Sequence, residues 1–405
     1  MYNEKLSVAF IGCGNFAKRF VPLMQAHPYV EKVYVCDLIR EKAEAYAKRF
    51  GAEIVDTFEE VLARGDINCI ANFTQRHLHG DIVIRALKAG KHVYSAVPMA
   101  PTVEECQEIV RLVKETGLTY LMGETCYYYP CAMYCREAYR EGKFGNFTSG
   151  ASQYYHHIDT ISYGKRPGEG GMPPLLYPTH STGMILSAVN SYATKVVCFG
   201  YEDNTNDGRF GVGCNYWDNT YSNQYVLMKL ANGGTARVTE ARTFGISKPS
   251  SYISALYGTK AGYEFSNAQH ILIEKDPAEP NKERAFVTDV SDYVNPTAMA
   301  EHKHEPDFMT RVANGEWQVH DFAKVQAEET KRLPASFEGL PNAHMASHQF
   351  LIDDFCKAAY TGEIPALNAW TSARYTIPGL VAIESCKLGG VPLDVPDCGD
   401  APKDQ

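Results

Sequence analysis

The chain has 405 residues, 45% of them hydrophobic, and a formal net charge of −9. This length suits two domains with separate buried cores. The acidic balance argues against nucleic acid as a partner, because binding to a phosphate backbone rests on clustered Lys and Arg. The sequence shows neither a stretch apolar enough to span a membrane nor a secretion signal, so we expect a cytoplasmic protein without a membrane partner.

The cysteine pattern points to reduced thiols. Twelve cysteines are scattered through predicted strands and helices without a C-x-x-C pair. Cys126, Cys131 and Cys135 have no histidine at a spacing typical of metal sites. We therefore predict no metal.

The first segment, LSVAFIGCGNFAKRF, predicts a strand, a glycine-rich turn and a helix. Its G-x-G-x-x-A motif lies in the setting of a dinucleotide-binding fold, where the glycines allow a tight turn and close approach of backbone N–H groups to a pyrophosphate. The next strand, KVYVCD, ends in an acidic residue that can accept hydrogen bonds from both ribose hydroxyls, which favours NAD over NADP. The cofactor-binding residues predicted here are Gly12, Gly14, Asn15, Phe16 and Asp37.

Strands and helices alternate up to about residue 125, which predicts an α/β fold with a Rossmann doubly wound parallel sheet. Ligands in such sheets lie at the carboxyl ends of the strands, so three strand ends should border the nicotinamide. His77 and His79 begin a helix near this rim, and both helix capping and a ligand contact fit them. The cofactor-binding residues predicted at the rim are Asn72, Thr74, His77, Ala96, Val97 and Pro98.

The second half of the chain changes to long strands from Asn146 onward, with Asn-Gly-Gly and Gly-Thr-Lys turns between them. This pattern predicts a C-terminal α+β domain with a large, mostly antiparallel open sheet. We place the NAD-binding domain at 1–125 and the domain for substrate binding and oligomerisation at 126–405. The polar region 275–340 is predicted to be a surface excursion with some helix.

Two motifs, IGCGNFA and NFTQRHLHGDIVIRALKAGKHV, resemble the Gfo/Idh/MocA family of nicotinamide-dependent sugar and polyol enzymes, and the resemblance runs nearly end to end. Dehydrogenases of that family carry Glu-Lys-Pro at one strand tip, where the lysine takes part in proton transfer. The aligned triplet here is Ala96-Val97-Pro98, and a valine cannot move a proton. The resemblance further implies that the open sheet face joins subunits, so we expect a homodimer or homotetramer.

Four further segments, VPMA, GETCYYY, LYPTHSTG and GLVAIESCKLGGVPLDVPD, resemble the NAD-dependent glycoside hydrolases of this superfamily. The nearest branch is family 109, which has α-N-acetylgalactosaminidase activity. Its Glu-Val-Pro, tyrosine and Tyr-Pro-Thr-His motifs place the two site tyrosines on Tyr127 and Tyr177 and the histidine on His180. The glutamate falls on Ala96, which leaves the sugar open and also fits a sister group such as the NAD-dependent sulfoquinovosidases.

The resemblance implies hydrolysis by transient C3 oxidation, C2 deprotonation, elimination, hydration and re-reduction, with NAD regenerated in each cycle. The predicted catalytic residues are His180 for the O3 proton, Tyr127 for the C2 proton, and Tyr177 for orientation or leaving-group protonation. Read without the family, His180 could cap the helix that follows it, and one or two tyrosines of the run 127–129 could serve packing.

Other polar residues are predicted to line the pocket of a small-molecule glycoside. Glu124 either replaces the carboxylate missing at Ala96 or caps a backbone turn, and His344 either touches substrate or starts a helix. Alternation along a strand lets only half of the residues at 154–157 face inward. The predicted substrate-binding residues are Glu124, Tyr155, His157, Lys165, Arg166 and His344.

The leading prediction is therefore an NAD-dependent glycosidase. One alternative is a net sugar or polyol dehydrogenase in which His180 replaces the lysine. Another is a non-catalytic regulatory protein that binds NAD or sugar.

Overall fold

The computed structural model describes residues 2–156, 170–244, 250–276, 278, 284–314, 316–317 and 322–402. Within these ranges two sheets, one of six strands and one of nine, form the framework. The predicted fold class is confirmed: a doubly wound parallel sheet precedes an α+β unit with a mostly antiparallel sheet.

The first sheet is parallel throughout and has the order β3-β2-β1-β4-β5-β6. Its central strands are mostly apolar because helices cover both faces, and Phe10, Ile70 and Val93 are fully buried. The strands are β1 Leu6–Ile11, β2 Val30–Cys36, β3 Glu53–Ile54, β4 Cys69–Asn72, β5 His92–Ser95 and β6 Tyr120–Met122. The helices are α1 Val21–Ala26, α2 Arg40–Phe50, α3 Phe58–Ala63, α4 His79–Lys88 and α5 Val103–Thr116.

The helix predicted after the glycine motif is interrupted. A 3-10 turn at Ala17–Arg19 precedes the six-residue α1. Pro22 lies in the first turn of α1, where a proline costs no hydrogen bond because the first N–H groups of a helix have no partner within it. A helix this short carries a weak dipole, so phosphate binding falls to the N–H groups of the loop itself.

The second sheet has the order β14-β13-β12-β11-β7-β10-β9-β8-β15. Its neighbours are antiparallel except for β7 and β10, which run parallel. The strands are β7 Phe147–Tyr155, β8 Ala193–Glu202, β9 Tyr221–Leu230, β10 Thr235–Ala241, β11 Ser251–Gly258, β12 Ala261–Ser266, β13 Gln269–Lys275, β14 Ala285–Asp289 and β15 Leu393–Asp394. The remaining helices are α6 Pro130–Arg140, α7 Thr179–Ala188, α8 Ser291–Val294, α9 Thr297–Glu301, α10 Phe308–Ala313, α11 Ala327–Thr330, α12 His348–Thr361 and α13 Ala369–Lys387.

Several helices lie between the two sheets and bring them together. Helix α7 packs on the inner face of the second sheet, against β7, β10 and β11. Helix α12 contacts α1 and β1, and α13 contacts both α5 and β8. The carboxyl ends of the first sheet are thereby apposed to the start of α7, where the candidate site lies.

The outer face of the second sheet exposes large apolar side chains. Phe199, Tyr225 and Leu227 on β8 and β9 are 61%, 45% and 53% exposed. Subunit pairing through this face stays a prediction. In the part of the chain that the structure describes, no helix is long and apolar enough to cross a membrane.

Candidate active site

The tip of β5 carries no proton-transfer group. Ala96 and Val97 are buried, and Ala96 donates its N–H to the Asn72 carbonyl at 2.9 Å. The ring nitrogens of His79 lie 2.8 Å from the Pro98 carbonyl and 3.2 Å from that of Thr74, so this histidine joins two strand tips. Any acid or base must come from elsewhere.

A hydrogen-bonded chain of three side chains lies at the junction of the two domains. Glu124, just after β6, is completely buried, and its Oε1 lies 2.6 Å from Nδ1 of His180. The Nε2 of His180 lies 3.0 Å from the Tyr177 hydroxyl. Oε1 of Glu124 also accepts the Cys126 N–H at 2.8 Å, so this residue caps a backbone turn as well as orienting the imidazole. The structure thus brings together three residues predicted separately.

The direction of these hydrogen bonds follows from the charge on Glu124. Burial alone would raise the pKa of Glu124, but the charge of His180 and its hydrogen bond hold that pKa below the ordinary value. An ionised carboxylate can only accept, so the imidazole hydrogen is on Nδ1. When the imidazole is neutral, Nε2 is then the acceptor for the Tyr177 O–H.

His180 is not a helix cap. It lies in the first turn of α7, whose N-cap is Pro178, and no side chain caps this end. Gly183, one turn further along α7, leaves room for Glu124: a Cβ there would lie 3.3 Å from Cγ of Glu124 and 3.1 Å from the Tyr375 ring. Helix α7 therefore approaches the segment after β6 closely enough for the hydrogen bond to form.

Aromatic and charged residues surround the imidazole. The Tyr154 ring lies edge-on to His180 with the ring centroids 4.8 Å apart, and the Arg76 guanidinium lies 4.4 Å from the centre of the Tyr177 ring. Burial, together with the charges of Arg242 and Arg76, lowers the pKa of His156 to about 4. This histidine is therefore neutral near pH 7.

Behind α7 lies a buried pair, Glu240 and Arg242. Glu240 accepts hydrogen bonds from the Ser181 hydroxyl and from the Arg242 guanidinium, the latter at 2.9 Å. Complete burial raises the pKa of Glu240 to about 8 despite the neighbouring Arg242. These hydrogen bonds link α7 to β10.

Tyr127 lies apart from this hydrogen-bonded chain. It is half-buried in the 3-10 turn that follows Glu124, and its ring contacts Tyr128 and the Arg136 guanidinium, 4.0 Å from the ring centre. Arg136 also donates to the Tyr127 carbonyl at 3.1 Å. Tyr128 and Tyr129 are buried in the core, as expected for the packing members of the run.

The glycine loop has the form that a dinucleotide requires. Gly12 has φ +94°, and a Cβ there would lie 2.7 Å from the Phe73 carbonyl oxygen. A Cβ on Gly14 would meet nothing within 4 Å in the described ranges, so the backbone is open on that side. Asp37 accepts the N–H groups of Cys13 and Ile39 at 2.7 and 2.8 Å, which fixes its carboxylate beside the loop. These residues fit NAD.

Three other predicted cofactor-binding residues differ in their contacts within the protein. Asn72 is buried, and its Oδ1 accepts the Thr74 N–H at 3.2 Å and the Thr74 hydroxyl at 2.7 Å, so it shapes the loop. Phe16 packs against the rings of Phe20 and His344. Asn15 is exposed and accepts a hydrogen bond from Lys18. Their contacts with NAD stay predictions.

We expect Gly12→Ala to weaken NADH binding at least tenfold, because the left-handed φ and the close carbonyl both exclude a side chain. NADH fluorescence titration measures the effect. Gly65→Ala is the matched control, since Gly65 has nothing within 4 Å in the described ranges. Equal loss in both variants would contradict the assigned role of Gly12.

His344 lies in an unusual turn at the domain junction. His344, Met345 and Ala346 have successive φ values of 47°, 51° and 63°, a left-handed turn that non-glycine residues rarely adopt. Its Nδ1 lies 3.1 Å from Nε2 of His348, and its ring faces Phe16 in the glycine loop. His344 therefore precedes α12 and also contacts the cofactor domain; substrate contact stays a prediction.

Acid should destabilise the protein through His344. Burial, helped by the charges of His180 and Arg19, lowers the pKa of His344 to about 3. The unfolded chain takes up this proton near pH 6.5, so stability falls as the pH drops below that value. The loss in unfolding free energy at pH 5 is at most about 2 kcal/mol. Solvent screening makes it smaller, because the ring is only partly buried.

The test variant is His344→Asn, because asparagine tolerates the left-handed turn. Lowering the pH from 7 to 5 should reduce its free energy of unfolding by up to about 2 kcal/mol less than it does for the unmodified protein. Urea unfolding at the two pH values measures it. An unchanged pH dependence would contradict the assignment.

The structure places Tyr154, rather than the predicted Tyr155, beside His180. Tyr155 points to the opposite face of β7, where it stacks on Phe244 with the ring centroids 4.2 Å apart. The prediction chose the wrong member of an alternating pair. The other predicted residues of this segment, His157, Lys165 and Arg166, lie outside the described residues.

Sequence reasoning missed Arg76 and left Tyr154 unassigned. Arg76 directly precedes His77, and its contact with the Tyr177 ring joins the two domains. The only sequence signal was its place in the NFTQRHLH segment at the rim of the first sheet.

A candidate ligand set for a metal overlaps the site. Glu124, Cys126 and His180 each offer an atom, and these atoms lie within 4.8 Å of one another. Two of these groups already share a 2.6 Å hydrogen bond, and burial keeps the pKa of the Cys126 thiol well above its ordinary value. A protonated thiol is a poor ligand.

We therefore expect dialysis against EDTA to leave turnover and Tm unchanged. Loss of activity that zinc restores would show that the three residues bind a metal.

Comparison with known proteins supports the family resemblance. The Gfo/Idh/MocA model, described as an oxidoreductase family with an NAD-binding Rossmann fold, matches residues 6–124. A glycosyl hydrolase family 109 protein of Streptomyces filamentosus is 25% identical over 418 residues, covering 96% of this chain and 76% of that protein. The 2,7-anhydro-N-acetylneuraminate hydratase of Escherichia coli K12 is 26% identical over 144 residues, covering 36% of this chain and 38% of that protein.

Among solved structures, levoglucosan dehydrogenase in complex with NADH and levoglucosan superposes with a TM-score of 0.71. It is 18% identical, and the match covers 97% of this chain and 100% of that one. At this identity the likeness concerns the fold alone. The predicted cofactor, NAD, agrees with both the family model and the NADH complexes among the neighbours.

Proposed function

We propose that this protein is an NAD-dependent glycoside hydrolase that acts without net oxidation. Its residues 6–124 match the model of the Gfo/Idh/MocA oxidoreductase family, which has an NAD-binding Rossmann fold. The observation that carries this proposal is the set of hydrogen bonds that joins Glu124, His180 and Tyr177. These side chains offer acid–base groups that the tip of β5, at residues 96–98, lacks. The similarity to family 109 proteins over almost the whole chain supports it.

Bound NAD supplies a hydride acceptor for C3 of the sugar and the donor that later restores it. The protein's part is the movement of protons. We assign the substrate O3 proton to Nε2 of His180, where O3 replaces the Tyr177 hydroxyl as hydrogen-bond partner. The Glu124 carboxylate stabilises the resulting imidazolium, as the third member of other acid–base triads does.

The remaining steps use the two tyrosines. Oxidation at C3 acidifies the C2 proton, and we assign its removal to Tyr127 in its phenolate form, with the Arg136 guanidinium against the Tyr127 ring. The C1–O bond then breaks as C1=C2 forms, and the Tyr177 hydroxyl protonates the departing oxygen. Water adds at C1 and returns a proton to Tyr177, Tyr127 returns its proton to C2, and His180 returns the O3 proton as C3 is reduced. The paired carboxylates of ordinary glycosidases are not needed in this cycle.

The test combines three readouts on one sample. The protein with NAD is incubated in D2O with p-nitrophenyl α- and β-glycosides, including the N-acetylgalactosaminide and the sulfoquinovoside. We expect nitrophenol release, deuterium at C2 and no accumulating absorbance at 340 nm.

A net sugar dehydrogenase is the second candidate, and the match of residues 6–124 to an oxidoreductase family model favours it. His180 alone would then replace the missing lysine, with Glu124 behind it. A steady rise at 340 nm on free sugars, with no nitrophenol from any glycoside, would establish this function instead.

A further inference from the structure

An aromatic pair lies at the outer edge of the candidate site. Tyr216 and Trp217, in the loop between β8 and β9, have their rings at right angles with centroids 5.0 Å apart. Tyr216 is 71% exposed, whereas Trp217 is half-buried. Both approach His77 of the first domain, at 5.8 and 6.4 Å between ring centroids. The pair therefore joins the loop between β8 and β9 to the rim of the first sheet.

This loop is held in place by its own asparagines. Asn215 accepts the N–H groups of Trp217 and Asn219, both at 3.0 Å, and donates to the Arg209 carbonyl, also at 3.0 Å. Asn219 donates to the Gly171 carbonyl at 3.0 Å, which ties the loop to the segment leading to Tyr177. The aromatic rings are thus positioned in advance of any ligand.

Contacts lead inward from the pair to the acid–base groups. Arg76, the neighbour of His77 in sequence, covers the Tyr177 ring, and the Tyr177 hydroxyl contacts His180. Solvent exposure falls along this path, from the exposed Tyr216 to His180, which is 5% exposed. The aromatic pair lies on the side of Tyr177, the residue to which the proposed function assigns the departing oxygen.

A second observation points to a ligand at this place. The Nδ1 of His77 is buried, and it has no hydrogen-bond partner among residues 2–156 or the other described ranges. A buried polar atom without a partner costs free energy unless a ligand or water satisfies it. A small rotation of the His77 ring would expose Nδ1 beside the two aromatic rings, where it suits a ligand that combines a flat ring face with hydroxyl or ether oxygens.

We propose that Tyr216, Trp217 and His77 form a leaving-group subsite that binds aglycones with a flat ring, either an aryl group or a second pyranose. This inference rests on the proposed glycosidase function and adds the class of leaving group. It also gives His77 a role toward the aglycone in place of the predicted role toward NAD. Glycosides with small alkyl aglycones would leave the subsite empty.

The test measures binding without turnover. The protein saturated with NADH cannot oxidise a glycoside, so calorimetric titration reports affinity alone. The probes are methyl and phenyl glycosides of N-acetyl-α-galactosamine, α-sulfoquinovose and α- and β-glucose, with disaccharides carrying the same nonreducing sugars. The variants are Trp217→Ala and the matched control Trp317→Ala, whose ring stacks on His302 in a separate small cluster.

We expect the phenyl glycoside or the disaccharide to bind about tenfold more tightly than its methyl partner. Trp217→Ala should abolish this preference while the methyl glycoside still binds, and Trp317→Ala should keep it. Preference for the disaccharide alone would identify a pyranose, and preference for the phenyl glycoside alone an aryl group.

The subsite would be overturned, but not the glycosidase, if the methyl glycoside, the phenyl glycoside and the disaccharide of each sugar bound equally. The same holds if the preference for the larger ligand survived in Trp217→Ala. Failure of every glycoside to bind would count against the proposed function itself, and the subsite would fall with it.

Discussion

Replacing His180 by alanine should lower kcat on the glycoside substrate about a thousandfold, because no other group in the chain of hydrogen bonds can take the O3 proton from the same place. NADH affinity should change little, since the imidazole contacts Glu124 and Tyr177 rather than the glycine loop. Nitrophenol release and NADH fluorescence measure the two quantities. Added imidazole should restore part of the rate by entering the vacated space.

The control for this variant is His270→Asn. His270 is also buried, and it hydrogen-bonds Tyr263 and Asn295 in the second domain, away from the site. Its replacement should lower Tm but keep kcat. If His180→Ala retained normal turnover, the assignment of the O3 proton would be wrong.

Replacing Glu124 by glutamine should lower kcat at least a hundredfold with little change in KM. The amide keeps the size of the side chain but lacks the charge that stabilises an imidazolium on His180. Because Glu124 acts through His180, it is a positioning residue, and the split between kcat and KM separates this role from a loss of substrate binding.

Glu240→Gln is the matched control, since Glu240 is an equally buried glutamate behind the same helix. Burial raises the pKa of Glu240 to about 8, so near pH 7 glutamine resembles its protonated form. This variant should fold and turn over normally. Equal losses of kcat in the two variants would mean that Glu124 serves the packing of α7 rather than the chemistry.

Much of the fold could be predicted from local patterns. Three patterns involve residues close together in sequence and can therefore be recognised without the structure: the apolar strands, the glycine turn at 12–17 and the alternation of strands with helices. The proximity of Tyr177 and His180 is of the same kind, because the two residues are only three apart in sequence, with Tyr177 just before the N-cap of α7 and His180 in its first turn.

It was harder to predict which side chains of a strand face the candidate site. Tyr154 and Tyr155 are adjacent, and a shift of one residue in the register of β7 would exchange them. The pairing of β7 with β10 and β11 decides that Tyr154 faces His180, and those strands lie about 80 and 100 residues further along the chain.

The cofactor domain, the antiparallel second sheet and the absence of a proton-transfer residue at positions 96–98 could all be predicted from the sequence. The contact between Glu124 and His180 could be found only in the folded protein. Glu124 reaches His180 because α7 packs against the segment after β6, and Gly183 permits that approach. Such a contact joins residues far apart in sequence, and it depends on how two domains pack, which no local periodicity encodes.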